Sequence, residues 1–266
     1  HTSFVDAEVK GDLIDRIIVY SHDKQEYYTI IASYYIDCSG DIVVARKIGC
    51  EVSFGEEDYN RYNEPSAPEQ PTDNVNGISL IFRASPVRER CIDEIPNWAR
   101  TDDAREWINR DNKPAVQINE YPNGDINLNI LPLMEGKEYF SLETYERLKL
   151  CKARVYNYWN WLQTQKGFDT YTFKCFAQKV GVRESYRLVG KYVLTETDVR
   201  AGFLKQNKRY QIIAYSDHPL DIHGKRNAKI KHIQEMEMPY GIPYDCILSK
   251  EIINLEVACR GASFSH

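Results

Sequence analysis

The sequence predicts an α/β protein carrying an α+β insertion with a mixed or antiparallel sheet and a long helix. Three stretches point there. YYIDCSGDIVVARKIG (34–49) reads as a strand closing on Asp37, a turn of small residues, and a short helix stopped by Gly49. VQINEYPNGDINLNI (116–130) alternates apolar and polar residues on both sides of Asn123-Gly124, which marks a hairpin. Over 142–165, Leu142, Tyr145, Leu148, Val155, Trp159 and Leu162 fall near helical spacing, so a long amphipathic helix is expected.

The other elements follow in chain order. Residues 3–10 and 13–20 read as strands joined at Lys10-Gly11-Asp12. A third strand, YYTIIASYYID, follows the polar turn at His22-Asp23-Lys24 and completes a meander. Residues 55–76 are charged and hold three prolines, so they read as a long loop. GISLIFRAS (77–85) is a strong strand. Thr101 caps a helix through DDAREWINR, whose first-turn acids suit the helix dipole. Gly167 ends the long helix, and RESYRLVGKYVLT (183–195) alternates like a strand. Thr195 opens another helix, with Asp198 placed as the acidic member of a capping box. Residues 203–239 are loop-rich, and IINLEVACRGASFSH is a strand entering a second small-residue turn. The order predicts a discontinuous first domain, 1–60 and 240–266, carrying a second at 61–239.

Composition removes several function classes. Hydrophobic residues at 42% and charged residues at 27% are ordinary for a globular chain. The net charge of −5 leaves no basic footprint, so no nucleic acid is expected. Mean hydropathy is −0.54 and no apolar run approaches a membrane span, so none is expected. Seven scattered cysteines, without C-x-x-C or zinc spacing, favour reduced thiols. The run Ser216-Asp217-His218-Pro219 through His223 invites a metal reading, but matches no standard ligand spacing; no metal is expected. Compartment and oligomeric state are not set by the sequence.

Two motifs carry chemistry. A strand, a small-residue turn and a helix start present backbone N–H groups to a phosphate or ribose. Gly40 permits the tight turn and Asp41 can accept from a hydroxyl. The competing reading is an ordinary strand–helix turn capped by Ser39. At 183–187 the strand period puts Arg183, Ser185 and Arg187 on one face, where two guanidiniums suit an anionic substrate. The competing reading pairs Arg183 with a buried carboxylate and leaves Arg187 in solvent. Tyr156, Tyr158, Trp159 and Trp161 can stack on sugars, but a buried helix face accounts for them better.

Taken together, residues 34–58, 180–199 and 239–266 resemble the FAD-dependent oxidoreductase family of the glutathione-reductase-like flavoprotein superfamily. The similarity rests on Ile36-Asp37-Cys38-Ser39-Gly40-Asp41, on Gly181 through Gly190, and on Asn254 through Arg260 with its small-residue tail and His266. Members described as related to polysaccharide lyases come closest. The resemblance implies a partial FAD-binding domain around a substrate-type domain. It implies FAD as cofactor, a small-molecule substrate related to carbohydrates, and hydride transfer between the two. It places Ser39, Gly40, Asp41, Arg260 and Gly261 along the FAD, and Arg183, Arg187 and His223 toward the substrate, with His223 as proton donor or acceptor. Three departures stand out: Cys38-Ser39 replaces Ala-Thr, Tyr186 replaces an arginine, and Cys259 replaces the glycine before Arg260.

The family's G-x-G-x-x-G element is absent from the 266 residues. A fragment of a longer flavoprotein is therefore expected, with FAD held by the full-length protein and weakly or not at all by the fragment. The alternative is a non-catalytic carbohydrate- or partner-binding module on the same scaffold.

Overall fold

The computed structural model describes residues 1–109, 115–221 and 233–266. They form a mixed α/β structure with several antiparallel sheets and few helices. β1 (Thr2–Lys10), β2 (Leu13–Ser21) and β3 (Glu26–Ile30) make the expected antiparallel meander. The chain then bends, and the Tyr35 hydroxyl holds the bend by donating to Ile30 O at 3.2 Å and accepting from Ala32 N at 3.0 Å. β4 (Tyr35–Asp37) is thus a separate strand. α1 (Val43–Lys47), β5 (Val52–Ser53) and α2 (Tyr59–Tyr62) follow. α2 lies inside the stretch expected to be loop, where the Asp58 carboxylate caps it by accepting from Arg61 N at 3.1 Å.

Next come β6 (Phe82–Pro86), α3 (Asp102–Ile108), β7 (Ala115–Glu120), β8 (Ile126–Leu131), α4 (Gly136–Ser141), α5 (Thr144–Gln165) and β9 (Tyr171–Phe176). Thr101 caps α3 as expected, accepting from Ala104 N at 3.3 Å. The strands form one antiparallel sheet in the order β7-β8-β6-β9. Alternation along β8 buries Ile126, Leu128 and Ile130, which join Cys151, Val155, Trp159 and Leu162 of α5 in one core. The β7–β8 loop spans five residues rather than a tight pair, because the ladder ends at Glu120↔Ile126. Pro122 has no N–H to extend it, and Tyr121 N instead closes on Asp125 O at 2.9 Å. β9 was not placed by the sequence reading.

The chain ends with β10 (Arg187–Leu188), α6 (Glu196–Ala201), β11 (Ile212–Ser216), β12 (Leu220–Asp221), β13 (Ile233–Gln234), β14 (Tyr240–Pro243) and β15 (Leu255–Val257). The long strand expected over 183–195 shrinks to two residues, since its partner β5 is only two residues long. Burial there does not alternate either: Glu184, Ser185 and the run 187–190 are all buried. The capping box of α6 is present: Thr195 accepts from Asp198 N, and Asp198 accepts from Thr195 N. No helix among the described residues is long and apolar enough to cross a membrane.

The described residues form two compact units. One holds 1–75, 184–221 and 233–266; the other holds 76–109 and 115–183. The cuts therefore fall at 75/76 and 183/184, so 61–75 and 184–221 fold with the meander and not with the long helix. In the second unit, Leu128 is fully buried at the centre of the sheet. Leu128→Ala should cost about 2–5 kcal/mol of that unit's stability, read by urea unfolding, because it deletes core volume that the sheet cannot close. Ile118→Ala, at a position 37% exposed, should cost far less.

Candidate functional site

β4 and β15 lie far apart in sequence and pair in parallel: Leu255↔Tyr35, Glu256↔Ile36, Val257↔Asp37. Parallel pairing sends both strands out in the same direction. The turn at 38–42 and the turn at 258–261 therefore emerge side by side, and Ala258 N donates to Asp37 O at 3.1 Å.

Asp37 organises the first turn. It is 3% exposed, and its carboxylate accepts from Ser39 N at 3.0 Å, Val44 N at 2.8 Å and Ala45 N at 3.3 Å. Ser39 Oγ accepts from Val43 N at 3.0 Å, so this hydroxyl shapes the turn. Ile42, fully buried and β-branched, sits at φ +45, a conformation L-residues with branched side chains rarely hold. Strain of this kind persists where surrounding contacts force it, and it concentrates at ligand sites.

The second turn fits closely against the first. Gly40 has φ +83, and a Cβ there would lie 2.8 Å from Arg260 Nη1. A Cβ on Gly261 would collide with Ile42 Cγ2 and lie 2.9 Å from Tyr186 O. Arg260 Nη2 donates to Asp41 Oδ1 at 2.7 Å, and this pair is about one-third to two-fifths exposed. Ser185 Oγ donates to the same Asp41 oxygen at 2.7 Å, and Leu188 N donates to Gly261 O at 2.8 Å. Tyr186, where the family pattern has arginine, packs under the Arg46 guanidinium at 3.5 Å from the ring centre. Cys259 is half-buried and packs against the apolar cluster that includes Ile42, Leu255 and Val257.

Ser39, Gly40, Asp41, Arg260 and Gly261 are thus brought together. Among the described residues, the backbone N–H groups of Gly40, Asp41, Ile42, Cys259, Arg260 and Gly261 have no acceptor. Asp41 Oδ2 has no donor, and Arg260 Nε and Nη1 have no acceptor. Amide donors beside a guanidinium and a free carboxylate oxygen fit the phosphate and hydroxyl groups of a nucleotide cofactor.

The residues expected on the substrate side fare differently. Arg187 is buried, and its guanidinium is used within the first unit. Nε donates to Phe264 O at 3.1 Å, Nη1 to Glu184, and Nη2 to Gly55 O and Glu57, both at 2.7 Å. Arg183 is exposed and belongs to the second unit. His223 lies outside the described residues.

Sequence reasoning missed Asp37, Ser185 and the Glu184–His266 pair. An aspartate closing a strand ahead of a small-residue turn is a readable signal for Asp37. The others depend on contacts across 80 residues or more and leave no local trace. His266 Nδ1 lies 2.8 Å from Glu184 Oε1, its Nε2 lies 3.8 Å from Glu56 Oε1, and its backbone N donates to Glu57 at 3.1 Å. Burial pulls the His266 pKa down. The charge and hydrogen bond of Glu184, with help from Glu56 and against Arg187, outweigh burial and raise it above the ordinary histidine value. No cluster of three or more potential metal ligands occurs among the described residues.

Fold and site together define a mixed α/β chain with a paired-turn backbone site suited to a nucleotide. The model of the family described as FAD dependent oxidoreductase matches residues 1–266, and the chain belongs to that family. No curated protein matches the chain.

Two outcomes follow. Asp37→Ala should cost about 2–4 kcal/mol, because three turn amides lose a charged acceptor. Asp37→Asn should cost less, since one acceptor oxygen remains. His266 carries the opposite sign from a carboxylate. Its stabilisation is complete below its unfolded pKa and is lost as pH rises through the raised folded value. The urea midpoint of the first unit should therefore fall as pH rises above the ordinary histidine value, and His266→Gln should flatten that slope.

Proposed function

We propose that this chain is part of a flavin-dependent oxidoreductase, and that the turns at 38–42 and 258–261 form one wall of its FAD site. The observation that carries this reading is the placement of six unpartnered amides on two adjacent turns joined by a parallel strand pair. When bound, FAD supplies the two-electron chemistry, taking up or giving up a hydride.

The chain's own residues then have distinct tasks. Gly40 and Gly261 let the two backbones approach. Asp41 Oδ2 accepts from a cofactor hydroxyl, and Arg260 offers Nε and Nη1 to an anionic oxygen. Ser39 and Asp37 fix the shape of the first turn. Arg187 holds Glu184 and Glu57 in place instead of touching substrate. Arg183 remains the exposed candidate for contact with a small-molecule substrate, which the family resemblance points to as carbohydrate-related.

The 266 residues contain no G-x-G-x-x-G element, so on this reading the pyrophosphate loop lies outside them. Ile36 supports this. It is 59% exposed on a parallel pair, and parallel sheets are ordinarily covered on both faces. Without that loop, several charge-assisted hydrogen bonds are missing, each worth about 1.5–3 kcal/mol, and FAD should bind these residues weakly. A glycan-binding module gains no support from the aromatic cluster, because Tyr158 and Trp159 are only 3% and 1% exposed.

The test is purification of the full-length protein and of its Gly261→Val variant, with absorbance in the flavin bands and FAD release on denaturation as readouts. The wild type should be yellow with bound FAD, and the variant should retain at most about one-tenth as much. A colourless wild type that also fails to take up added FAD would overturn the reading. So would a Gly261→Val variant with full FAD content.

A further inference from the structure

A pocket of about 480 Å³ opens in the first unit between Tyr62 of α2, the segment 190–193, the start of α6 and Asn207. None of its lining residues belongs to the two turns described above. Its volume falls within the usual range for small-molecule sites, roughly 300–1,000 Å³.

Charge decides what the pocket can hold. Lys191 is the one formally charged residue on its wall, and among the described residues its ammonium has no carboxylate partner. The neighbouring cations are already committed. Arg61 lies over the Tyr62 ring and pairs with Glu51 at 3.4 Å; Lys208 lies over the Tyr192 ring and pairs with Asp245 at 3.0 Å. Behind the wall, Asp198 would repel an anion if it were bare. It is not bare: its oxygens accept from Tyr192 Oη at 2.6 Å, Thr195 Oγ1 at 3.0 Å, and Asn207 N and Nδ2, both at 3.1 Å. Burial, followed by the Asp198 hydrogen bond, raises the Tyr192 pKa, so its phenol stays neutral. The remaining wall is neutral and polar or aromatic. Tyr62 and Tyr192 line it, and Asn63 and Thr197 offer an amide and a hydroxyl with no partner among the described residues.

We propose that this pocket is a second ligand site, for a small cyclic organic monocarboxylate. One unpaired ammonium matches one negative charge. A phosphate dianion would bring a second charge with no second cation to meet it. A neutral ligand would leave Lys191 unused. Two tyrosines in the wall suit a cyclic ligand, whether aromatic or a sugar, since the apolar body of a phenol packs well against either. The site is independent of the flavin reading and stands if that reading fails.

The test titrates the protein at low salt with sodium benzoate, sodium glucuronate and glucose, following amide shifts by NMR. At least one carboxylate should bind saturably, with shifts centred on Lys191, Tyr192 and Asn63. Benzoate alone would assign an aromatic acid, and glucuronate alone a sugar acid. Lys191→Gln should weaken the bound carboxylate about fivefold or more, and added salt should weaken the wild type toward the variant. Lys191 is exposed, so the variant should keep the wild-type circular dichroism and melting point. Tyr62→Ala should weaken binding independently of salt. The proposal is overturned if neither carboxylate binds, if Lys191→Gln binds as tightly as wild type, or if glucose binds as tightly as the carboxylate that does bind.

Discussion

The candidate site depends on one residue's double bond to its surroundings. Asp37 uses its carboxylate to fold the turn that follows it and its carbonyl to receive Ala258 N from the opposite end of the chain. The first set of bonds is local and shapes a turn. The second links residues 221 positions apart and puts another turn beside it. Neither part suffices alone. A shaped turn without its neighbour is an ordinary strand–helix connection, and two neighbouring strands without shaped turns would present no amides. The short α1 cannot supply the stability, since five residues form no self-sustaining helix. The turn persists because buried Ile42, Leu255 and Val257 pack beneath it.

The third segment, 184–188, locks this arrangement. Ser185 reaches Asp41, Leu188 N reaches Gly261 O, and Arg187 gathers Glu184, Glu57, Gly55 and Phe264. A buried arginine is tolerated only when its donors are met, and here each guanidinium nitrogen has an acceptor. Glu184 also holds His266, so the tail that follows Gly261 is tied down by the same charges. The first unit is therefore a closed loop of constraint in which early, middle and late segments fix one another. Asn254 adds a further tie, bonding both the N–H and the carbonyl of Ile14.

What was legible in the sequence was local. The meander, the Thr101 cap, the Thr195–Asp198 capping box and the β7–β8 alternation are each specified by residues within a few positions, and each forms. The reading failed where a partner decides the outcome. RESYRLVGKYVLT alternates, yet only Arg187–Leu188 finds a neighbouring strand. β9 exists because β6 offers an edge to it, and its own residues do not announce it. Arg183 and Arg187 looked equivalent by period, but burial separates them: one is exposed, and the other is consumed by Glu57, Glu184 and two backbone carbonyls. The turns were legible as turns. That they are neighbours followed only from the parallel register of β4 and β15.

The fate of position 259 shows why close approach belongs to a backbone path and not to a fixed letter. A glycine is expected there by resemblance, and a cysteine stands in its place. Half-buried against the cluster that holds Ile42, Leu255 and Val257, the Cys259 side chain adds apolar contact. The requirement for a bare Cα falls instead two residues later. At Gly261 any Cβ would press on Ile42 and on the Tyr186 carbonyl. The segment 184–188 sets that requirement, since Tyr186 O crowds Gly261 while Leu188 N binds its carbonyl. A side chain at 259 is thus accommodated, whereas one at 261 would press on three chain segments at once. The physical demand for glycine has stayed with the crowded point of the path.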